Sequence, residues 1–494
     1  MLKSCLDVLL VPITQIVNFS LVSGTFPDIF KTSHVTPLLK KPSLSKDDMK
    51  NYRPVSNLNF VSKIIEKVIA SRIRSHLEAN HLSNQSQSAY KKFHSTETAL
   101  LKVENDIILN MDKGKVTALT LLDLSAAFDT LDHRSITDLL SNWYGISGVA
   151  LEWFVSYLSC REQKVKLLDC LSSPAKITNG VPQGSVLGPL LFTLYTAPLS
   201  SVIGKHSVNH HLYADDTQIY LSLSTKNPEL SLEILQNCLQ DVSLWMTASK
   251  LKLNPDKTEF LLIGVKVQRE KFSSLFPTQL LEEEVIPAPS ARNLGIVFDN
   301  ALNFKNHISL TCRACYYHIR DMRRIRGFLT PSVAKTIATS LIGSKLDYCN
   351  SLFYNITERE LTKLQGVQNC LARVVTKSPR FCHITPLLKS LHWLPIRYRI
   401  KFKICSLTYQ ALTSGQPSYF LEMLKPSRKT RKLRSCDLDQ LNVPRVRTSV
   451  GSRAFSVAAP RLWNELPLEI RQSKTSDVFR KKLKTLYFGQ AFPS

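Results

Sequence analysis

An apolar segment that ends in an acidic residue constrains this chain more than any other feature of its sequence. Residues 116–122 are almost all apolar or β-branched, a pattern typical of a strand buried on both faces of a sheet. The next residue is Asp123. An ionised carboxylate beside a core strand is costly unless a cation or another partner compensates for it. We therefore expect this strand to end at a site where something offsets the charge.

A second acidic feature follows about ninety residues later in the chain. The pattern from His211 to Leu223 predicts a strand, a tight turn and a strand, with Asp215 and Asp216 at the turn. Carboxylates on two neighbouring strands can together hold two Mg²⁺ ions about 3.5–4 Å apart, the spacing of two-metal phosphoryl transfer. The alternative is that each Asp caps a turn, the usual role of Asp at the end of a strand. The apolar strands around all three aspartates favour the metal site.

The charge of the chain indicates a polyanionic partner. Lys and Arg number 64 against 39 Asp and Glu, a formal net charge of +25, and nucleic acid is the first candidate for the partner. The excess is uneven, with 7 basic and 9 acidic residues over 115–220 but 18 and 6 over 401–494. An apolar share of 44% excludes a disordered or collagen-like chain. An acidic centre in a basic body suits a metal-dependent enzyme that acts on a polyanion.

The sequence favours neither secretion nor membrane insertion. Its eleven cysteines follow no regular framework, which favours a reduced intracellular setting. Polar residues interrupt the apolar first twenty residues, and no run of 18 apolar residues occurs. We therefore expect no signal peptide and no membrane span.

Seven motifs carry a specific family resemblance in their order and spacing. They lie at Asn51–Ser56, Phe93–Leu100, Asp123–His133, Gly180–Leu191, Tyr213–Asp216, Asn254–Thr258 and Asn293–Ile296. Together they resemble the reverse transcriptase of a LINE-type, Jockey-like non-LTR retrotransposon, over most of the chain. The resemblance implies an α/β (α+β) right-hand polymerase with fingers, an antiparallel-sheet palm and a helical thumb, plus a basic C-terminal region. The implied divisions are an N-terminal extension (1–23), a reverse transcriptase domain of fingers and palm (24–298), the thumb (299–376) and the C-terminal region (377–494).

The resemblance also implies an activity, RNA-directed DNA synthesis from a primer 3′-hydroxyl with dNTPs and two Mg²⁺ or Mn²⁺ ions. Asp123, Asp215 and Asp216 would be the catalytic carboxylates that bind both metal ions. Lys257 would be the lysine near the end of the palm that protonates pyrophosphate. The partners would be an RNA template, a DNA primer or target DNA, and dNTPs. The location would be nuclear, with a cytoplasmic ribonucleoprotein as the other setting.

Further residues would bind the substrate. Phe128 would lie beneath the sugar of the incoming nucleotide and exclude a 2′-hydroxyl, the group that distinguishes RNA from DNA; the alternative is a core aromatic. Gln183 and Gly184 would lie beside the nascent base pair, where a glycine lets the backbone approach the substrate closely. The alternative for this pair is an ordinary turn that leads into a helix.

Basic residues of the fingers would contact the triphosphate. These are Arg53, which offers a planar fork to phosphate, and Lys40 or Lys41. The alternative is that they are simply solvated, as basic residues near turns usually are.

A cluster in the thumb suggests zinc at first sight, because a C-x₂-C pair has flanking histidines at His307, Cys312, Cys315 and His318. The spacing instead predicts the buried face of one helix, made of Ile308, Cys312, Cys315, Ile319 and Met322. The exposed face would then carry arginines that grip a nucleic-acid backbone, namely Arg313, Arg320, Arg323 and Arg324.

Two alternatives to an active LINE-type enzyme stay open. The chain begins only a few dozen residues before the fingers and has no room for the endonuclease that precedes the polymerase in full-length elements, so we expect a truncated copy. Such a copy could be an inactive remnant that only binds nucleic acid through its charge. A maturase-like polymerase that assists splicing is the other alternative, although the stretch Asp123–Asp129 resembles LINE-type proteins better.

The C-terminal tail contributes one signal. From about residue 425 it is rich in Arg, Pro and Ser, which predicts a loose region. Its basic run from Arg428 to Arg434 indicates a nuclear-import signal, an RNA-binding patch or a solvated stretch.

Overall fold

The chain begins with a helix that packs lightly on the rest of the protein. The computed structural model describes residues 5–125, 128–224, 226–254, 257–276, 278–280, 283–427 and 439–493. Helix α1 (Leu6–Ser23) buries only Val17 and Ser20, and it ends at Gly24 in the left-handed conformation. The indole of Trp153 donates to Ser20 Oγ at 2.9 Å and ties this helix to the fingers.

The fingers are built on a five-stranded sheet that mixes parallel and antiparallel pairs. Strand β1 pairs antiparallel with β2 and parallel with β5, and β5 also pairs with β6 and β7. The strands are β1 (Thr32–Leu39), β2 (Tyr52–Asn57), β5 (Arg161–Leu167), β6 (Cys170–Leu171) and β7 (Ala175–Ile177). Helix α2 (Phe60–Ala79) follows β2, and the side chain of Asn59 caps its first turn. Ile65, Ile69, Ile73 and Leu77 form the buried apolar face of α2.

The palm is a four-stranded antiparallel sheet in the order β11-β3-β9-β8. All seven residues of β3 are buried, as the apolar pattern predicts for a strand covered on both faces. The four strands are β3 (Val116–Leu122), β8 (Asn209–Tyr213), β9 (Asp216–Leu223) and β11 (Glu259–Ile263). Helix α3 (Thr96–Asp112) precedes β3 and begins at a capping box formed by Ser95 and Thr98.

Shorter elements complete the palm and its edges. Residues 133–158 form two helices rather than one, because Gly145, between them, and Gly148, the first residue of the second, adopt the left-handed backbone. The elements are β4 (Leu124–Ser125), α4 (His133–Asn142), α5 (Gly148–Leu158), α6 (Leu187–Tyr195), α7 (Leu199–Gly204), α8 (Pro228–Ala248), β10 (Lys252–Leu253), α9 (Lys266–Glu270), β12 (Thr278–Leu280), β13 (Glu283–Val285), β14 (Ser290–Asn293) and β15 (Ile296–Asp299).

The rest of the described chain is helical. The thumb helices are α10 (Lys305–Ile325), α11 (Pro331–Ala338), α12 (Ser344–Asp347) and α13 (Glu358–Thr376). The C-terminal helices are α14 (Ile384–Leu391), α15 (Ile396–Ser414), α16 (Ser418–Met423), α17 (Phe455–Asn464), α18 (Leu468–Arg471) and α19 (Ser476–Ala491). The stripe predicted on α10 is confirmed, because its five residues are the buried ones of that helix and its four arginines are exposed. The predicted mixed class, with an antiparallel palm sheet and a helical thumb, is also confirmed.

The C-terminal region is better packed than its composition predicts. One hydrophobic core runs continuously from α3 through the thumb to Phe492 near the end of the chain. Helix α17 lies within it, and Phe479, Leu483 and Tyr487 of α19 form a buried stripe at helical spacing. The expectation of a loose tail is therefore wrong for residues 439–493, because apolar residues at helical spacing outweigh the Arg, Pro and Ser between them. The basic run from Arg428 to Arg434 lies outside the described residues.

By length and composition alone, two helical stretches of the described chain could cross a membrane. One is Leu6–Ser23, of which 11% is buried, and the other is Leu187–Gly204, of which 61% is buried. The second stretch comprises α6 and α7 in the core of the palm, and core helices often pass such a test. The absence of a membrane span stays a prediction.

Candidate active site

Three aspartates meet at one edge of the palm sheet because of the register of its strands. Strands β3 and β9 pair antiparallel, and Leu122 lies opposite Thr217. The next residue along β3 and the preceding residue of β9 are therefore Asp123 and Asp216, at the same end of the pair. Asp215 lies in the tight turn that joins β8 to β9, after Ala214 in the left-handed conformation. The strand order thus brings Asp123, Asp215 and Asp216 to one end of the β3–β9 pair.

These carboxylates repel one another in a poorly solvated place. Burial raises the pKa of Asp216 to about 6, and the charges of Asp215 and Asp123 add to the rise. Burial and the charge of Asp123 also raise the pKa of Asp215, whereas the charges of Arg53 and Lys257 oppose that rise. A group of carboxylates whose ionised forms are disfavoured in this way is stabilised by bound cations.

Lys257 supplies one such positive charge directly. Its Nζ lies 2.8 Å from Oδ2 of Asp123, and the side chain of Asn254 donates to the same oxygen at 3.4 Å. The backbone N–H of Asn254 also donates to the Asp123 carbonyl at 3.0 Å, so this lysine segment is fixed against the end of β3. Lys257 therefore lies against one of the three aspartates, and its role as a proton donor to pyrophosphate stays a prediction.

The ion pair between Lys257 and Asp123 leads to the question whether the three aspartates fit a metal ion. Over the described part of the chain, no three His, Cys, Asp or Glu side chains lie close enough together to hold one. Hard oxygen ligands from adjacent strands nevertheless match the preference of Mg²⁺ and Mn²⁺. The mutual repulsion of Asp123, Asp215 and Asp216 is the observation that makes the set suitable for a divalent cation. Lys257 and the Asn254 side chain contact the Oδ2 atom of Asp123.

Phe128 lies between the palm core and the surface. Its half-buried ring lies 4.9 Å, centroid to centroid, from the buried ring of Phe192. Its carbonyl accepts the N–H of Val181 at 2.9 Å, which links the segment after β3 to the turn before α6. The ring is therefore neither fully enclosed nor free, and its role as a sugar gate stays a prediction.

The turn that contains Gln183 and Gly184 joins the palm to the fingers. Gln183 Nε2 donates to both carboxylate oxygens of Asp129, at 3.0 and 3.2 Å, and its carbonyl accepts the N–H of Ser56 in β2 at 2.7 Å. Gly184 has φ +127°, and a Cβ there would lie 2.6 Å from the Ser56 carbonyl oxygen. The close backbone approach that requires this glycine is thus to the fingers strand; contact with a base pair stays a prediction.

The basic residues of the fingers divide into two groups. Arg53 of β2 is exposed and close enough for its charge to lower the pKa of Asp215. Lys40 instead donates to the Lys50 carbonyl at 2.8 Å within the loop between β1 and β2. Lys41 is exposed in the same loop. Only Arg53 of this group therefore joins the carboxylates electrostatically in the structure.

Two residues next to the catalytic turn were missed by the sequence analysis. The side-chain oxygen of Gln87 accepts the N–H of Ala214 at 3.1 Å and that of Ala89 at 2.9 Å, which holds the left-handed residue before Asp215. Burial and the charge of Asp215 raise the pKa of the Tyr90 phenol, which places this ring beside the turn. The segment 84–95 has no periodic pattern, so no local signal indicated its position.

Comparison with known proteins adds an independent observation. Residues 39–298 match the family described as reverse transcriptase (RNA-dependent DNA polymerase). The chain is 25% identical over 423 residues to the probable RNA-directed DNA polymerase from transposon BS of Drosophila melanogaster, a match that covers 83% of this chain and 45% of that protein. It is 26% identical over 381 residues to the RNA-directed DNA polymerase from mobile element jockey of Drosophila funebris, which covers 76% and 40%.

The chain spans less than half the length of these two curated relatives. Among solved structures, the apo telomerase of Candida tropicalis aligns with a TM-score of 0.42 and 10% identity, over 79% of this chain and 67% of that one.

Proposed function

The chain belongs to the reverse transcriptase (RNA-dependent DNA polymerase) family, and on that premise we propose that it extends a primer 3′-hydroxyl on an RNA template with dNTPs. The predicted LINE-type, Jockey-like resemblance is confirmed by the polymerases of mobile elements that it matches. The observation that supports the activity most is the meeting of Asp123, Asp215 and Asp216 at one edge of the palm sheet.

The aspartates would hold two divalent cations of the Mg²⁺ or Mn²⁺ class. When bound, such ions lower the pKa of the attacking hydroxyl and neutralise the triphosphate and the leaving pyrophosphate. Asp123, Asp215 and Asp216 would provide the ligands, at the cost of the Lys257 contact to Asp123. Freed from that contact, the Lys257 ammonium would be available to give a proton to the leaving pyrophosphate.

The surrounding residues would orient the nucleotide. Arg53 would take up the triphosphate, a role supported by the effect of its charge on Asp215, with Lys40 further along the same hairpin. Phe128 would exclude a ribose 2′-hydroxyl from the sugar position. Gln183 and Gly184 would lie beside the nascent base pair, on the turn that is fixed to Ser56.

The template and primer would be bound in part by the thumb and by the first helices of the C-terminal region. Nine Lys and Arg and no Asp or Glu occur between Glu360 and Glu422. A cleft of about 880 Å³ between α10 and the end of α13 is lined by Arg323, Arg373, Lys377 and Arg380. Two phenylalanines next to lining residues in the sequence are strongly exposed, Phe328 at 91% and Phe381 at 86%. Cations for phosphates beside rings for bases suit nucleic acid.

A nuclear location belongs to the same proposal. The basic run from Arg428 to Arg434 would act as the import signal, and the polymerase would reach its target DNA there.

The test of the proposed function is primer extension on an annealed RNA template with dNTPs and Mg²⁺, beside the Asp215→Asn protein. We expect extension by the unchanged chain and none by Asp215→Asn, while both bind RNA equally. Asp138→Asn is the matched control, because Asp138 is an exposed carboxylate on α4. Tight RNA binding at low salt without any extension would instead support the alternative, an inactive remnant that only binds nucleic acid.

A further inference from the structure

The segment 84–95 lies against the strand that leads into the catalytic turn. The N–H of Leu212 in β8 donates to the Ser86 carbonyl at 2.8 Å, and the N–H of Ser88 donates to the Leu212 carbonyl at 3.0 Å. Just after β8, two residues beyond Leu212, the N–H of Ala214 donates to the side-chain oxygen of Gln87. The path of the backbone into Asp215 is therefore set partly by this segment.

The other side of the segment is held by the C-terminal region. Tyr419 of α16 is buried, and its hydroxyl donates to Thr98 Oγ1 at 3.0 Å and lies 3.0 Å from Ser88 Oγ. Ser88 Oγ also lies 2.8 Å from Nε2 of His211 in β8. One continuous set of hydrogen bonds thus runs from α16, over 300 residues along the chain, to the strand before Asp215 and Asp216.

Two further contacts fix both ends of the segment. Gln410 of α15 donates to the Phe93 carbonyl at 3.0 Å, and Ser418 donates to the Gln85 side chain at 2.6 Å. Between them, Tyr90 and Phe93 have φ of 58° and 65°, a backbone conformation that L side chains rarely adopt. Such residues keep that conformation only when neighbouring structure enforces it. The enforcing contacts here come from β8 on one side and from α15 and α16 on the other.

We propose that Tyr419, with Gln410 and Ser418, is a positioning residue of the polymerase site, and that it holds the segment 84–95 against β8 so that the Asp215–Asp216 turn keeps its geometry. The C-terminal region then supports the geometry of the catalytic turn in addition to providing a basic surface. The inference rests on the proposed function, because it is the metal-binding turn that is positioned.

A supporting feature is that Ser88, Thr98, His211 and Tyr419 are all buried and that one assignment of their hydrogens satisfies every bond between them. Burial lowers the pKa of His211 to about 3, so its ring is neutral at physiological pH. A neutral ring that donates from Nε2 to Ser88 leaves the serine hydroxyl to donate to Tyr419, whose own hydrogen goes to Thr98. Each hydrogen then has one acceptor. Loss of the Tyr419 hydroxyl would leave Ser88 without an acceptor in a buried place, the kind of change that costs more than the bond itself.

The test compares Tyr419→Phe with a matched control, Tyr409→Phe. Tyr409 lies on α15 and is as buried as Tyr419. Its hydroxyl donates to the Ser473 carbonyl at 2.6 Å, a contact within the C-terminal region. Hydrogen exchange, read by mass spectrometry on metal-free protein, reports on peptides that cover 84–95 and 209–216. Primer extension over a range of Mg²⁺ concentrations reports on the turn.

We expect Tyr419→Phe to speed exchange in both peptides and to raise the Mg²⁺ concentration for half-maximal extension by about 3- to 10-fold, the range of one or two lost hydrogen bonds. Tyr409→Phe should match the unchanged chain in both measurements, even where it lowers the melting temperature. Unaltered exchange and unaltered Mg²⁺ dependence in Tyr419→Phe would overturn the proposal.

A second variant keeps the test sharp if Tyr419→Phe folds poorly. Ser88→Ala removes the same contact from the palm side, and the same two changes are expected. Absence of extension by the unchanged chain would defeat the proposed function, whereas the exchange measurement on metal-free protein would still decide whether Tyr419 holds the segment. The two failures are therefore distinguishable.

Discussion

Asp216 shows how a single residue carries a conflict between folding and catalysis. Its carboxyl has a pKa of about 6 because burial and two neighbouring aspartates disfavour the charge, whereas a carboxyl of this type has a pKa near 3.8 when unperturbed. Ionisation of Asp216 therefore costs stability at pH values above about 4, and the cost is complete only above about 6. The residue is retained in the fold for a reason other than stability, which a metal site supplies.

From this we predict that Asp216→Asn stabilises the metal-free protein while it abolishes extension. At pH 8 the free energy of unfolding should rise by about 1 to 2 kcal/mol, a figure reduced for partial solvent screening. The gain should shrink steadily as the pH falls from 6 towards 4, because Asp216 then becomes neutral in the folded state and begins to lose its ionisation in the unfolded state. Denaturant unfolding in a chelator at both pH values measures it, with Asp138→Asn as the exposed control. Equal stability of Asp216→Asn and the unchanged chain at pH 8 would contradict this account.

Phe128 allows a second prediction for a single side chain. If its half-buried ring faces the sugar, Phe128→Val should raise the incorporation of ribonucleotides relative to deoxyribonucleotides by roughly 10-fold or more. The control is Phe276→Val, because that ring is also half-buried and packs on a buried ring, Phe260, at 5.6 Å. Extension with mixed nucleotide pools gives the ratio. An unchanged sugar preference in Phe128→Val would leave the ring as a core aromatic.

Between elements, the turn before α6 approaches strand β2 closely at Gly184. We predict that Gly184→Ala lowers the free energy of unfolding by about 1–3 kcal/mol, since a Cβ would strike the Ser56 carbonyl and φ is positive. It should also raise KM for dNTPs, because β2 carries Arg53. Gly204→Ala is the control, as a Cβ there meets nothing within 4 Å. Equal melting curves for the two variants would mean that the contact with Ser56 is not limiting.

Elements with a local pattern were predictable, and those held by distant contacts were not. The strand before Asp123 follows from five apolar residues and two threonines, and the stripe of α10 follows from its 3.6-residue period. The position of Gln87 depends on an N–H donor 127 residues away, and that of Tyr419 on a hydroxyl 331 residues away. Family resemblance suggested a role for Lys257 at the leaving pyrophosphate, but the contact of Lys257 with Asp123 was not predictable, since spacing in the chain gives no distance in space.

As a whole, the molecule is a basic body organised around two apolar cores. One core joins fingers and palm, and the other joins α3, the thumb and the C-terminal region. Because α3 belongs to the second core and leads directly into β3, the C-terminal helices are coupled to the strand that ends in Asp123. The composition of the tail gave no indication of this, since apolar residues at helical spacing are hidden among Arg, Pro and Ser.

At this scale we predict strongly salt-dependent binding of RNA that is largely independent of its sequence. Replacing Arg323 and Arg380 together by Ala should lower the slope of log affinity against log salt by about 2, one for each lost phosphate contact. A control with the same charge loss is Lys389→Ala with Lys474→Ala, two exposed lysines that do not line the cleft. Equal slopes for both double variants would remove the cleft from the binding surface.

The most direct measurement of the central claim is the binding of Mn²⁺ alone, followed by electron paramagnetic resonance without nucleotide or nucleic acid. The three aspartates should bind the ion, and Asp123→Asn, Asp215→Asn and Asp216→Asn should each weaken its binding by roughly 10-fold or more. Asp138→Asn should bind Mn²⁺ as the unchanged chain does. If all three palm variants keep the Mn²⁺ affinity of the unchanged protein, these carboxylates are not its metal site and the account of the catalytic centre is wrong.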